Sequence, residues 1–465
     1  MAKRISDATR ESVLRMLAHR EDRETIAALL GITPNQVSAI AAHVTMGTYD
    51  LPQPTEDENF DFLGSSLAGD SMSIRTNKGT RKGGRGIRPI LLGADAKTGK
   101  EVNWNPNPET GSANPHMLVI GESGFGKTYT MCCLIGELAQ QGVVSIVIDY
   151  GQGFLRNSLP SEFVAAVNPV EILASSEGVN INPLQLFPMD LLGPVNVAQR
   201  LADTFARVYP RIGVQQHSAL RRAALELFNE KGIIVENTAT WKHDPPEFSQ
   251  LQLKLESLAN NSTAPYGRYA ASALSHVSTI FVFNTFRPNG HKMSWRELIR
   301  SKGGVFVIQL KGLEGSLESA VTEFLLWNFI GYIETLGPSP LRCFLVLDEA
   351  HKLSFGLGSP VEKLLREGRK FGTGLMLASQ QSEDFSPVAF ANTATKIVFQ
   401  VADDRNVVSR QLHRKLRKSH SFSDVRELIT KLPRGCSYVV SENVGKPVKI
   451  TSMPVRAKRW GLRRR

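Results

Sequence analysis

The amino-acid sequence predicts an α/β fold built on a mostly parallel sheet that helices cover on both faces. Two observations lead to this prediction. Short apolar runs rich in β-branched residues recur from about residue 87 onward, and helical patterns separate several of them. The runs are MLVI, VVSIVID, VFVIQL, CFLVLD, GLMLAS and KIVFQV. Between the second and third runs, residues 184 to about 300 are mainly helical in pattern, so a helical insertion interrupts the sheet.

The pattern along the 465 residues predicts four segments. Residues 1–47 have the pattern of a small all-α domain, and 48–86 that of a linker that is first acidic and then basic. Residues 87–455 form the predicted α/β domain with its insertion, and 456–465 form a basic tail.

Composition indicates what kind of partner the protein binds and in which compartment it is found. The formal net charge of +11 favours a polyanionic partner, nucleic acid before membrane, because no long apolar span accompanies the charge. The four cysteines form no CxxC pair, which argues for a reducing compartment and against a cysteine-bound metal site. The sequence therefore predicts a soluble cytoplasmic protein without a membrane partner.

The stretch HMLVIGESGFGKTYTM contains the spacing GxxxxGKT, directly after an apolar run and before a helical pattern. Such a loop wraps phosphate oxygens with backbone N–H groups, while the lysine reaches the β- and γ-phosphates and the threonine hydroxyl ligates Mg²⁺. The expected nucleotide-binding residues are Gly121, Glu122, Ser123, Gly124, Phe125, Gly126, Lys127, Thr128 and Tyr129. ATP and Mg²⁺ are the predicted cofactors, with Lys127 also catalytic and Thr128 a metal ligand. The alternative is a glycine-rich turn that matches by chance.

Two adjacent acids, Asp348 and Glu349, end the apolar run CFLVLD. Buried acids are costly unless a cation is near. Asp348 is expected to hold the Mg²⁺ shell, and Glu349 to orient and deprotonate the attacking water. A capping acid pair at the surface is the alternative.

The stretch LLREGRKFGTGLMLASQQ places Arg369 and Gln380 at opposite ends of one predicted strand. Gln380 follows the strand, at the sheet edge where ligands of open α/β sheets bind, so it can sense the γ-phosphate or the water. Arg369 lies at the other end and could reach the site of a neighbouring subunit, as a catalytic arginine supplied in trans. An exposed helix terminus is the alternative, and the spacing alone leaves both open.

Residues 87 to about 452 resemble the HerA/FtsK superfamily of hexameric DNA-pumping ATPases. The matching stretches are PHMLVIGESGFGKT, VNINPLQLF, FLVLDEAHKL, REGRKFGTGLMLASQQ and ANTATKIVFQV. The resemblance implies a RecA-like P-loop NTPase fold and a ring, expected to be a hexamer, with double-stranded DNA in its channel. It also implies that Arg369 acts across the subunit boundary and that Gln380 is a sensor.

This chain departs from the HerA pattern in two places. HerA proteins carry an N-terminal β-barrel that docks a nuclease, whereas this chain begins with helical patterns. Many of them also have an acid in the element that here is IDYGQGF, which contains Asp149 and then Gln152. The resemblance therefore does not assign a second catalytic acid.

The N-terminal stretch ETIAALLGITPNQVSAIAAHV has the pattern of a helix-turn-helix. Ala27, Gly31, Val37 and Ile40 occupy the offsets of the helix crossing, the turn and the inward face. Thr33 is expected to cap the second helix, with a proline at the first helical position.

Candidate DNA contacts fall in two places. The exposed face of the second helix offers polar side chains but no cation, so a protein-docking or ring-stabilising module is an equal alternative. The basic segment 75–88 could grip a DNA backbone, although solvated linkers are often basic too. The candidates are Asn35, Gln36, Ser38, His43, Arg81, Lys82 and Arg85.

These features favour an ATP-hydrolysing, ring-forming DNA translocase or helicase that works with a nuclease or another effector in bacterial DNA processing or phage defence. A second hypothesis is a nucleotide-gated scaffold that assembles and regulates a partner enzyme without moving DNA. A third makes the helix-turn-helix a sequence-specific DNA binder with the ATPase as its switch.

Overall fold

A computed structural model describes residues 10, 13–14, 26–27, 32–45, 87–107, 114–261, 266–313, 315–401, 407–416, 421–441 and 448–451. The chain divides into two compact units, residues 1–81 and 82–465. Within these described ranges, no helix is both long enough and apolar enough to cross a bilayer.

In the N-terminal unit, helix α1 (Pro34–Thr45) begins where the sequence predicts. The backbone N–H of Gln36 donates to Oγ1 of Thr33 at 3.4 Å, and the N–H of Thr33 donates back to Oε1 of Gln36 at 2.9 Å. The predicted cap is therefore confirmed, in a reciprocal form. Val37 and Ile40 are buried, as is Ala27. Gly31, at the predicted turn, lies outside the described residues, so the helix-turn-helix stays a prediction.

The larger unit is built on one sheet of eleven strands in the order β2-β1-β11-β10-β9-β3-β8-β7-β4-β6-β5. The strands are β1 (Ile90–Asp95), β2 (Glu101–Trp104), β3 (Met117–Ile120), β4 (Val144–Asp149), β5 (Val170–Leu173), β6 (Val305–Gln309), β7 (Cys343–Leu347), β8 (Thr373–Ser379), β9 (Thr395–Val398), β10 (Cys436–Val440) and β11 (Val448–Thr451). Strands β9 to β5 of this order pair in parallel.

The six predicted runs form six of the seven parallel strands, β3, β4, β6, β7, β8 and β9. Every residue of β3, β4, β7 and β8 is buried. Burial on both faces explains why these strands appear in the sequence as continuous apolar runs. The predicted mostly parallel sheet with covering helices is confirmed.

The sequence did not indicate the other five strands. Strands β10, β11, β1 and β2 extend the sheet beyond β9 in antiparallel pairs. Strand β1 is six residues long with its first four buried, and β10 is five residues long. Strands β2 and β11 are four residues long and mix buried with exposed positions, as in β2, where only Trp104 is buried. Strand β5 adds the opposite edge and is equally short. Strands of four or five residues with mixed polarity carry little periodic signal, and the apolar start of β1 is only three residues long, Ile90 to Leu92.

The helices of this unit are α2 (Lys127–Ala139), α3 (Ser161–Val167), α4 (Pro194–Val208), α5 (Val214–Glu230), α6 (Gln250–Asn260), α7 (Gly267–Phe283), α8 (Trp295–Arg300), α9 (Ser316–Thr335), α10 (Pro360–Glu367), α11 (Pro387–Ala391), α12 (Val407–Leu416) and α13 (Phe422–Thr430). Helices α4 to α8 lie between β5 and β6 and form the predicted helical insertion. The insertion packs on α9, where the ring of Phe324 contacts Phe205 and Phe248 edge-on, with ring centres 5.3 Å and 5.7 Å apart.

His116, just before β3, is a buried neutral imidazole. Its Nδ1 accepts the backbone N–H of Leu375 in β8 at 3.0 Å, so the ring proton belongs on Nε2. Burial and, to a smaller extent, the nearby Arg369 guanidinium lower the pKa of His116 to about 3. His116 thus joins two central strands as an uncharged acceptor.

This histidine should make the stability of the protein depend on pH. Its pKa is lower in the folded than in the unfolded state, so only the unfolded chain takes up a proton as the pH falls below about 6.5. We expect the free energy of unfolding to drop by about 1.4 kcal/mol per pH unit from this group. Urea unfolding at several pH values checks it. His116→Asn keeps an acceptor that does not titrate, and equal pH slopes in the two proteins would contradict the assignment.

Candidate active site

Four neighbouring parallel strands, β3, β8, β7 and β4, end at one edge of the sheet. The glycine-rich loop of residues 121–126 follows β3, Gln380 follows β8, Asp348 follows β7, and Asp149 is the last residue of β4. Because parallel strands share a direction, their carboxyl ends bring these residues together. The candidate site lies at this edge.

The loop between β3 and α2 depends on glycine. Gly121 and Gly126 have φ of 151° and 112°, in the region that side chains rarely adopt. A Cβ added to Gly121 would lie 2.5 Å from the Cβ of Phe399, so that residue also packs too closely for a side chain. Helix α2 begins at Lys127 directly after the loop, and its first N–H groups are available to an anion.

Lys127 points into the loop. Its Nζ donates to the carbonyl oxygens of Gly121 at 2.6 Å and Glu122 at 3.1 Å. Burial lowers the pKa of Lys127, while the acids Asp348 and Glu349 oppose that shift. A cation is therefore enclosed by the loop that would receive phosphates, which is the geometry that a phosphate-binding lysine needs.

Asp348 and Thr128 present oxygen atoms to the same point. A Cβ built on Gly153 would lie 3.7 Å from Oδ2 of Asp348 and 3.7 Å from Oγ1 of Thr128. Burial and, to a smaller extent, the neighbouring Glu349 raise the pKa of Asp348 to about 7. A buried carboxylate near a hydroxyl offers the oxygen ligands that Mg²⁺ prefers, so these residues fit that ion.

Glu349 lies beside Asp348 in a strained conformation. Its φ is 54°, which is uncommon for a residue other than glycine, asparagine or aspartate. Its Oε1 lies 3.5 Å from Nε2 of Gln380, and its Oε2 lies 3.2 Å from Nδ1 of His351. The backbone turn thus aims the carboxylate toward the amide of Gln380, which the sequence predicts to lie in the same pocket.

Arg369 lies at the other end of β8. It belongs to the turn Gly368–Phe371 that precedes the strand, and its side chain is exposed. Seven strand residues separate this turn from Gln380, a span of about 20 Å. His116 packs beneath the turn, with its Cε1 3.7 Å from the position of a Cβ on Gly368. Arg369 therefore cannot reach the loop of its own chain.

Comparisons with known proteins agree with this arrangement. Residues 112–329 match the family described as the central domain of helicase HerA. The chain is 21% identical over 379 residues to the DNA double-strand break repair helicase HerA of Saccharolobus solfataricus, covering 78% of this chain and 68% of the relative.

Solved structures show the same fold. VirB4 of Thermoanaerobacter pseudethanolicus has a TM-score of 0.62 at 19% identity, over 80% of this chain and 98% of that one. The plasmid coupling protein TrwB, in complex with the ATP analogue ADPNP, has a TM-score of 0.52 at 18% identity, over 80% and 95%. The family match and the curated relative support a HerA/FtsK-like P-loop ATPase. The fold of the chain is the RecA-like one that the resemblance implied.

The sequence left the role of Asp149 in this ATPase open. Its carboxylate accepts the N–H groups of Gly151 at 3.1 Å and Phe154 at 3.0 Å, and Nε2 of Gln309 donates to it at 2.9 Å. These bonds shape the turn that brings Gly153 close to Asp348 and Thr128, the predicted metal ligands. Asp149 is thus engaged in building the site, and Gln152 is exposed beside it.

Ion pairs that sequence patterns did not indicate also hold the segment that follows Glu349. Lys352, three residues after Glu349, binds Glu318 of α9 at 2.5 Å. Arg207 of α4 binds Glu323 of α9 at 2.5 Å and donates to the carbonyl of Gly358 at 2.9 Å. Helix α9 thereby holds both ends of the segment that joins Glu349 to α10. In the sequence, only the apolar neighbours of Glu318 and Glu323 could have indicated that these two side chains are buried.

The candidate DNA contacts that the structure describes lie on α1 of the N-terminal unit. Asn35 is exposed on α1, Ser38 is half-buried, and the amide oxygen of Gln36 is engaged in the helix cap. The side chain of His43 is not among those that the structure describes. Arg81, Lys82 and Arg85 lie outside the described residues, so their contact with DNA stays a prediction.

Proposed function

We propose that this ATPase is a motor that moves double-stranded DNA through a ring of its own copies, expected to be a hexamer. The observation that carries the proposal is the separation along β8. Glu349 and Gln380 stand at the phosphate end of the strand, and Arg369 stands about 20 Å away at the other end. A site completed by a second copy makes hydrolysis depend on assembly. The names of the relatives, a DNA repair helicase and a plasmid coupling protein, support DNA as the partner.

The residues divide the chemistry of phosphoryl transfer among them. The loop N–H groups and Lys127 hold the β- and γ-phosphates, and Thr128 and Asp348 would hold Mg²⁺, which when bound neutralises phosphate charge. Glu349 accepts a proton from the attacking water, and Gln380 orients that water. The guanidinium of Arg369 from a neighbouring copy stabilises the charge that develops on the transferred phosphoryl group.

The proposal includes the domain organisation. Residues 1–47 form a helix-turn-helix-like domain, 48–86 a linker, 87–455 the ATPase domain with its insertion at about 184–300, and 456–465 a basic tail. The division of the chain near residue 81 supports a separate N-terminal unit. Binding of DNA or of protein by that unit stays a prediction. Partnership with a nuclease or a phage-defence effector stays a prediction as well.

The motor is tested by its response to DNA. We expect linear double-stranded DNA to raise the ATPase rate several-fold, because in a motor the binding of DNA in the channel is coupled to hydrolysis at the ATP site. We also expect the protein to displace the third strand of a DNA triplex when ATP is present. Mass photometry should find particles of six chains of 51.2 kDa each.

Lys127→Ala is the matched control, since it removes phosphate binding and should abolish both signals. An ATPase rate that ignores DNA, together with an undisturbed triplex, would contradict the motor. A ring that hydrolyses ATP but moves no DNA would instead match the nucleotide-gated scaffold.

A further inference from the structure

A tight turn before β10 lies against the phosphate-binding loop. The turn is closed by the N–H of Cys436, which donates to the carbonyl of Pro433 at 3.0 Å, and Gly435 within it has φ of 70°. Strand β10 pairs antiparallel with β9, and β9 pairs in parallel with β3. This order brings the start of β10 to the sheet edge where the phosphate loop follows β3.

Two contacts fix the turn on the loop. The N–H of Gly435 donates to the carbonyl of Phe125 at 3.2 Å. A Cβ built on Gly124 would lie 3.1 Å from Nη2 of Arg434 and 4.0 Å from its Cζ. The guanidinium of Arg434 therefore rests directly on the backbone of the loop.

The charge of Arg434 has no evident structural use. The side chain is exposed, and within the described part of the chain no acid pairs with it. A guanidinium is a planar, permanently charged fork that suits phosphate oxygens, and a loop of backbone N–H groups that binds phosphate lies next to it. An exposed cation held there by a turn is placed for a polyphosphate rather than for packing.

We propose that Arg434 is a further nucleotide-binding residue, which acts in cis on the phosphate chain held by its own loop. The inference rests on the proposed role of the loop in binding ATP. The site then uses two arginines of different origin. Arg434 comes from the same chain and strengthens binding, whereas Arg369 comes from a neighbouring copy and acts in hydrolysis.

Binding of a fluorescent ADP analogue to the full chain tests the inference. We expect Arg434→Gln to weaken binding about 10-fold or more, since a charge-assisted bond to phosphate is lost. Arg434→Lys should bind the analogue with an affinity between those of Arg434→Gln and the wild type. Lys431→Gln is the matched control: it removes an exposed cation three residues away that pairs with Glu427 at 2.6 Å, and it should bind as the wild type does.

Competition by inorganic tripolyphosphate identifies the part of the ligand involved. If Arg434 binds the phosphate chain, Arg434→Gln weakens the binding of tripolyphosphate by the same factor as the binding of the ADP analogue. The assignment to phosphate is overturned if only the ADP analogue weakens, which would indicate contact with the purine or ribose.

Failure of the inference differs from failure of the proposed function. If the wild type and Arg434→Gln bind the ADP analogue with equal affinity, only the assignment of Arg434 is overturned. A wild-type chain that binds no nucleotide would overturn the proposed function and this inference together. Melting temperatures without nucleotide should be unchanged in both Arg434 variants, which separates lost binding from lost folding.

Discussion

Replacing Arg369 with alanine should lower the ATPase rate of the assembled protein by about 10³- to 10⁵-fold, the usual effect of losing a catalytic arginine. Nucleotide binding should persist, because Arg369 lies at the opposite end of β8 from the phosphate loop of its own chain. Steady-state turnover and binding of a fluorescent nucleotide measure the two effects. Lys370→Ala is the matched control, an exposed cation one residue away whose ammonium lies 5.4 Å from the ring centre of Phe371.

Mixing variants decides whether Arg369 acts in trans. In mixtures of Arg369→Ala with Glu349→Gln chains, some interfaces combine an intact Glu349 from one chain with an intact Arg369 from the next. Random assembly gives roughly a quarter of such interfaces in a ring of head-to-tail contacts. We expect activity to return in the mixture although each variant alone is inactive. A mixture as inactive as its components would argue against a shared site, and so would full turnover by Arg369→Ala.

The second large effect should come from Glu349. The glutamine in Glu349→Gln keeps the shape of the side chain but cannot accept the proton of the attacking water, so we expect turnover to fall by about 10²- to 10⁴-fold. ATP binding should be retained, since Lys127 and the loop are untouched. Rapid-quench measurement of the chemical step, beside nucleotide binding, gives the comparison.

The control for Glu349 is Glu367→Gln, which neutralises an exposed acid at the end of α10. Its turnover should match the wild type. Near-normal hydrolysis by Glu349→Gln would mean that another group takes the proton. Asp149 would then be the first candidate, although its oxygens are occupied by three hydrogen bonds.

The sequence by itself determined the central strands and the chemistry at their ends. Strands such as β4 and β8 are buried on both faces, so their apolar runs are visible without any knowledge of their partners. Lys127 and Asp348 belong to local motifs that follow such strands. Parallel pairing then brings them together, because every strand of a parallel sheet ends at the same edge. The sequence also indicated that Arg369 and Gln380 lie at opposite ends of one strand.

Only the tertiary structure decided which distant residues complete the site. Arg434 is far from Gly124 in the chain, and β10, the short antiparallel strand that begins just after Arg434, has the sequence CSYVV, in which apolar and polar residues alternate too weakly to predict a strand. The ion pairs of α9 with Arg207 and Lys352 have the same origin. Motifs and burial are local properties that each segment carries with it, whereas these contacts exist only after the sheet has closed its long-range pairings.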